Sequence, residues 1–476
     1  MSVAQLPRSA SQRVAGSFRD PSGYVFRRGG RLFRCVDAAC WQLLKELSQT
    51  GALENWIADG LLAPTRFVEV PQLIEALRAE HYDRGHFLEH EPIAPVTYPS
   101  EWTISMLADA GVHTIDLQLQ LLEQRCALKD ASAYNIVFRD ARPVFVDVAS
   151  IEPARRLDVW PALAQFQRMF TYPLLLCRHH GWDPRSYFLA APGGRSDEQL
   201  ARAFGPWGQW RARLLLDFTL PYLLRRRSDG NPGVSAHSSK RAGDAASQRW
   251  NLLRLRKKLT RLAAGYRPRS DWTNYDVASH YAAGDTAAKR QATARFLQTQ
   301  RPKTVIDLGC NSGQYSLLAA GLGAHVTAID SDHDAVETLY RRLRRSPATI
   351  APLVADLTCP TPGVGHRNRE WLPLTERVEG ECVLALALVH HLLVTGNLSP
   401  AAVRDLLFDW TERWLVVEYV PPADPMFQRL LGARRDRLDW LSLESFQRVF
   451  SERFHPLGQA RLDAGGRSLL FYEKIA

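Results

Sequence analysis

Residues 304–313 read Thr-Val-Ile-Asp-Leu-Gly-Cys-Asn-Ser-Gly. A short apolar strand runs into Asp307, and Gly309 and Gly313 then bracket a turn of small residues, Cys310 among them, before a helical pattern begins. A Cβ at either glycine would block a ligand's approach to bare backbone or forbid the turn's dihedrals. Downstream, His325-Val-Thr-Ala-Ile-Asp330 supplies a second strand that also ends in an acid. In doubly wound α/β sheets that second acid lies beside a ligand's ribose and accepts its hydroxyl hydrogens. The glycines do not follow G-x-G-x-x-G, and no G-K-[ST] occurs. Neither a dinucleotide pyrophosphate nor a nucleoside triphosphate is therefore the natural guest of this turn.

Outward from the turn, expected strands at 304–308, 325–330, 351–355, 381–387 and 414–419 alternate with helical patterns at 314–322, 333–345 and 400–409. That alternation is what an α/β fold requires. Near-continuous apolar runs such as Val383-Leu-Ala-Leu-Ala-Leu fit strands buried on both faces of a parallel sheet. His455–Leu462, a turn at Asp463-Ala-Gly-Gly and Arg467–Lys474 read as a terminal antiparallel hairpin.

The D-x-G-x-x-x-G turn with a strand-end acid resembles motif I and the following acidic position of class I S-adenosylmethionine (SAM) methyltransferases. The resemblance implies a Rossmann-like α/β domain whose seven-stranded sheet ends in an antiparallel hairpin, with SAM as cofactor. It places Asp307, Gly309, Cys310 and Gly313 around the methionine and ribose part, Asp330 on the ribose hydroxyls, and Ala355-Asp356 at the adenine amino group. Each acid alone could equally cap a strand end; their joint spacing points to the cofactor. After the fourth strand, Val389-His390-His391-Leu392 falls where acceptor and methyl group meet in that fold. The [DNS]-P-P-[YF] tetrapeptide of enzymes that methylate planar amino groups is absent, and the histidine pair resembles that of many small-molecule methyltransferases. A histidine near neutral pKa is an expected base for a hydroxyl; packing on the cofactor or capping a helix is the alternative. Glu418, in Glu418-Tyr-Val-Pro421-Pro-Ala-Asp424, is expected on the same rim in contact with substrate, although a proline-stiffened turn accounts for the loop as well. The segment from Trp272 and Tyr275 through Tyr281 to Lys289 is expected to fold over the cofactor. The long loop that holds Arg367–Trp371 reads as functional.

The N-terminal half carries a different pattern. Asp130, Asn135, a hairpin, and Arg142-Pro-Val-Phe-Val-Asp147 resemble the catalytic loop and metal-binding acid of protein-kinase-like and aminoglycoside-phosphotransferase folds. Leu128 stands where those families carry His, Val148-Ala149 replaces Phe-Gly, and neither a glycine-rich phosphate loop nor an assignable strand lysine is present. Asp20-Pro-Ser-Gly23 followed by Arg27-Arg-Gly-Gly-Arg-Leu-Phe-Arg reads as a hairpin. The expectation is a degenerate kinase-like scaffold that does not turn over ATP; a chance match in an α+β accessory domain is the alternative. Leu128–Asn135, Arg142–Asp147, Leu384–Leu392 and Glu418–Pro421 together resemble the NoeA-like nodulation proteins, a bacterial family of two-part methyltransferases.

At 476 residues the chain exceeds one compact core. The expected division is an α+β domain at 1–224, a basic linker and connector helix at 225–270, and the methyltransferase domain at 271–476. The net charge of +10 suits an anionic partner but is weak evidence for one. Seven scattered cysteines with no C-x-x-C suggest a reducing compartment and no metal site. The N-terminus lacks an apolar run and no stretch is long enough to span a membrane, so a cytoplasmic location is expected. The expected activity is O-methylation of a small-molecule or saccharide hydroxyl. The alternatives are an RNA- or ribosome-directed methyltransferase, with nucleic acid not favoured as partner, and a phosphotransferase activity of the N-terminal half.

Overall fold

The computed structural model describes residues 11–81, 85–208, 210, 214, 218–220, 222–223, 244–269, 283–432, 441–462 and 466–475. The linker at 225–243, the turn at 463–465 and the aromatics Trp272, Tyr275 and Tyr281 lie outside them.

In the C-terminal half, β10 (Thr304–Leu308), β11 (His325–Asp330), β12 (Ile350–Val354), β13 (Gly380–Ala385) and β14 (Thr411–Tyr419) run parallel, and β15 (Phe454–Arg461) and β16 (Ser468–Lys474) close the sheet antiparallel. The order is β12-β11-β10-β13-β14-β16-β15. This is the class I methyltransferase sheet that the resemblance implied. The chain moves outward from β10 through β12 and then returns to β13, so strand order reverses between β10 and β13. At such a reversal the flanking loops part and leave a crevice at the strands' carboxyl ends. Near-complete burial of β10 to β14 explains their apolar composition. Helix His333–Arg345 turns Val336, Leu339, Tyr340 and Leu343 to the core, at the spacing of one helical face, and is capped by Asp332.

The N-terminal half holds an antiparallel sheet of β1 (Gln12–Arg13), β2 (Gly23–Arg28), β3 (Arg31–Val36), β4 (Thr65–Phe67) and β5 (His86–His90), in the order β1-β2-β3-β5-β4. The expected hairpin is β2–β3, closed by Gly29 and Gly30 at positive φ, where a two-residue turn demands it. Two small sheets follow: β6 (Cys126–Leu128) with β9 (Ile151–Pro153), and β7 (Ile136–Arg139) with β8 (Arg142–Phe145). The long helix Ile104–Glu123 backs them. The basic helix expected in the linker spans Ala245–Ala264 and packs on Ile104–Glu123 through buried Leu252, Leu259 and Leu262.

The halves share one apolar core, in which Leu107 and Phe138 join Val305, Val326 and Tyr340. Polar contacts reinforce it: the Ile104 N–H donates to His333 Nε2 (3.1 Å), the Ser105 N–H to Glu337 Oε2 (3.1 Å), and the Tyr340 hydroxyl to Asp109 Oδ2 (2.7 Å). Arg377 forms an ion pair with fully buried Glu101. Among the described residues, no helix is long and apolar enough to cross a membrane.

Candidate active site

A cavity of about 820 Å³ opens where strand order reverses. Asp307 near the end of β10 with Gly309 and Cys310 just beyond it, Asp330 at the end of β11, Ala355 and Asp356 after β12, and His391 after β13 all line it. Gly309 sits at φ 71°, and its N–H donates to the Ile329 carbonyl (2.8 Å). A Cβ there would lie 3.2 Å from Leu388, so this bare backbone also lets the β13 loop draw close. Gly313, at φ 83°, caps helix Gln314–Gly321 and does not line the cavity. A Cβ at Gly313 would meet Leu339 at 2.5 Å, so this glycine serves helix packing behind the turn.

Burial shapes the acids. Asp307 is 2% exposed, and loss of solvent pushes its pKa up to about 6 against the opposing Ser316 hydroxyl, which donates to Oδ2 at 2.6 Å. The Asp330 pKa is also raised by burial, while the backbone N–H groups of Asn311 (2.8 Å) and Asp332 (2.9 Å) pin one oxygen each. Both oxygens retain further acceptor capacity for a diol. Asp356 Oδ1 accepts from the N–H and hydroxyl of Thr358 at 2.8 and 2.7 Å, a turn that orients the carboxylate.

The histidine pair divides. His391 lines the cavity; burial lowers its pKa, which keeps the ring neutral and able to take a proton. His390 is 3% exposed and does not line the cavity. Its ring lies 4.4 Å from that of His391 and 5.8 Å from Phe427, and Nδ1 has no hydrogen-bond partner among the described residues. Burial, with His391 and Lys289 nearby, drives its pKa far below 6.5. Helical geometry explains the division, since adjacent residues on Val389–Val394 cannot face the same way.

Glu418 is not on the rim. It is fully buried beneath it, paired with Lys289 Nζ (2.5 Å) and Arg467 Nη1 (3.4 Å), and it accepts the Ala387 N–H at 2.8 Å. A carboxylate at the end of an interior strand must be compensated in this way. Ala387 has φ 51°, unusual for a residue with a Cβ, and stands on the cavity wall in the loop that leads into the helix carrying His391. Residue type gave no hint of that conformation. Thr286, Lys289 and Arg290 of helix Ala283–Gln300 complete the wall with Tyr315. Only Lys289 of these had been singled out from the sequence.

In the N-terminal half, Asp130, Asn135 and Asp147 line a separate cavity. Arg34 on β3 holds Asp147 at 2.5 Å and lies 3.3 Å from His90 Nε2. Among the described residues no group of His, Cys, Asp or Glu is arranged to hold a metal ion.

No protein-family model matches the sequence. The chain is 29% identical to nodulation protein NoeA of Rhizobium meliloti (strain 1021), across 99% of this chain and 98% of that protein. Among solved structures, N-methyltransferase NodS from Bradyrhizobium japonicum WM9 in complex with S-adenosyl-L-homocysteine is 12% identical at a TM-score of 0.30, covering 40% of this chain and 88% of NodS. Magnesium protoporphyrin IX methyltransferase from Synechocystis PCC 6803 with bound SAH is 13% identical at a TM-score of 0.30, covering 44% of this chain and 90% of that one. The fold assignment rests on the sheet order.

Proposed function

We propose that this chain is a SAM-dependent methyltransferase that acts on a hydroxyl of a small molecule or saccharide. One observation supports it above the others: the bare backbone at Gly309 and the strand-end acids Asp307, Asp330 and Asp356 border a single cavity at the reversal of strand order. Asp330 would accept the ribose hydroxyls, Asp356 would meet the adenine amino group, and Asp307, when ionised, would face the cationic methionine part. When bound, SAM supplies a methyl group on a sulfonium, open to in-line displacement. His391 would take the proton from the acceptor hydroxyl, and the Lys289–Glu418 pair would hold the Ala387 loop in register with the cavity.

Full-length resemblance to NoeA is consistent with this reading. Two features weigh against the alternatives. Arg256 of the basic helix pairs with Asp116 (2.7 Å) and Arg249 with Glu123 (3.2 Å), so two of its cations serve to dock the helix on helix Ile104–Glu123. Arg34 occupies Asp147, which a phosphotransferase would need for its metal. Calorimetry with S-adenosylhomocysteine tests the cofactor: binding is expected, and no heat at millimolar ligand in folded protein would sink the proposal.

A further inference from the structure

Helix Ala245–Ala264 joins the two halves, yet only one of its faces is used in doing so. Leu252, Leu259 and Leu262 are buried on that face, which packs on helix Ile104–Glu123. At the α-helical repeat, Trp250, Leu253, Arg254, Lys257 and Arg261 fall within roughly 100° of arc on the opposite side, and all of them are exposed. Trp250 is 58% exposed and Leu253 42%, and the Arg254 guanidinium lies 4.5 Å from the centroid of the Trp250 ring. Arg249 and Arg256, on the flank, pair with Glu123 and Asp116 and serve the docked face. Arg254 and Lys257 pair with no acid among the described residues.

Two properties of the outer face point to one kind of partner. It is of a single sign: the helix carries six Lys and Arg and neither Asp nor Glu, and exposed Arg267 and Arg269 follow it. A face that served solubility alone would mix the two signs. Tryptophan and leucine also stand among the cations, where their apolar surface contributes nothing to the core. An anionic bilayer surface suits both properties. Lys and Arg meet the headgroups, while an indole and a leucine reach the boundary with the acyl chains. A nucleic acid offers the charge and a base for the indole to stack on, but no apolar phase for Leu253.

We propose that helix Ala245–Ala264 docks the protein on an anionic membrane surface through Trp250, Leu253, Arg254 and Lys257, lying in the interface without crossing it. The proposal is independent of methyl transfer and is tested without SAM. Co-sedimentation of the full chain would compare vesicles of phosphatidylcholine with vesicles of phosphatidylcholine and phosphatidylglycerol. Binding should require the anionic lipid and weaken as salt is raised. Arg254→Gln combined with Lys257→Gln should weaken it by ~25-fold, about 5-fold for each cation lost near the surface. Trp250→Ser should weaken it by ~10-fold while the salt dependence remains. These side chains are exposed, so the melting midpoint should not move, and the glutamine pair decides the matter if Trp250→Ser unfolds. Equal binding to neutral vesicles, no binding to anionic vesicles at millimolar lipid, tighter binding to a random-sequence RNA than to lipid, or unchanged binding in the folded glutamine pair would overturn the proposal.

Discussion

At the scale of single residues, burial sets the chemistry. Burial pushes the Asp307 pKa up to about 6, which favours the ionised acid above that pH and the protonated one below it. A cationic ligand prefers the ionised acid. SAM affinity should therefore be flat above pH 6 and weaken by up to ~10-fold per unit below it; in Asp307→Asn that dependence should vanish, as calorimetry across pH 5–8 would show. The histidines should separate cleanly. His391→Ala should lower kcat by ~10²–10⁴ with SAM affinity nearly unchanged, because a base acts on the acceptor. The wild-type rate should fall on the acid side, at an apparent pKa below 6.5, because burial favours the neutral ring. His390→Ala should instead lower the melting temperature, since this ring packs on Phe427 and does not line the cavity. Near-normal kcat in His391→Ala at saturating substrates would remove it from the proton-accepting role.

At the scale of elements, the loop after β13 depends on a residue from the next strand. Glu418 on β14 ties Ala387 in its left-handed conformation and anchors Lys289 from helix Ala283–Gln300. Glu418→Gln keeps the shape but removes the charge that balances Lys289 and Arg467. Its expected result is a loss of kcat with a smaller change in SAM affinity; equal losses in both would mean that the network supports the cofactor. Gly313→Ala tests the turn behind the cavity. A Cβ at φ 83° costs ~1–2 kcal/mol, and the approach to Leu339 adds overpacking strain. Urea unfolding should show that loss, with weaker SAM binding as a consequence.

At the scale of the molecule, the halves are joined by a shared core and by buried polar contacts. Glu101 is 0% exposed, and Arg377, from the other half, is its partner. Arg377→Ala should destabilise by ~3–5 kcal/mol, because it leaves a buried carboxylate uncompensated. Leucine and methionine in place of Glu101 and Arg377 together should recover most of that loss. Denaturant titration of the single and double variants distinguishes this outcome from simple loss of packing, in which the double variant would be no better than the single.

The sequence by itself determined the C-terminal architecture. β10, β11 and helix His333–Arg345 begin and end where the pattern placed them, because apolar runs, strand-end acids and caps act over a few residues. The acids Asp307, Asp330 and Asp356 were legible for the same reason: a strand's end fixes where its next side chain emerges. Tertiary structure decided the rest. Which histidine faces the cavity depends on the rotation of a short helix, and Glu418 left the rim because Lys289 and Arg467 come from remote segments to neutralise it. Asp130, Asn135 and Asp147 marked one side of the second cavity in the sequence, but its wall at Glu370 and Trp371 was hidden because it belongs to the other half of the chain. Contacts between residues hundreds of positions apart leave no periodicity in a sequence; only the packed chain brings them together.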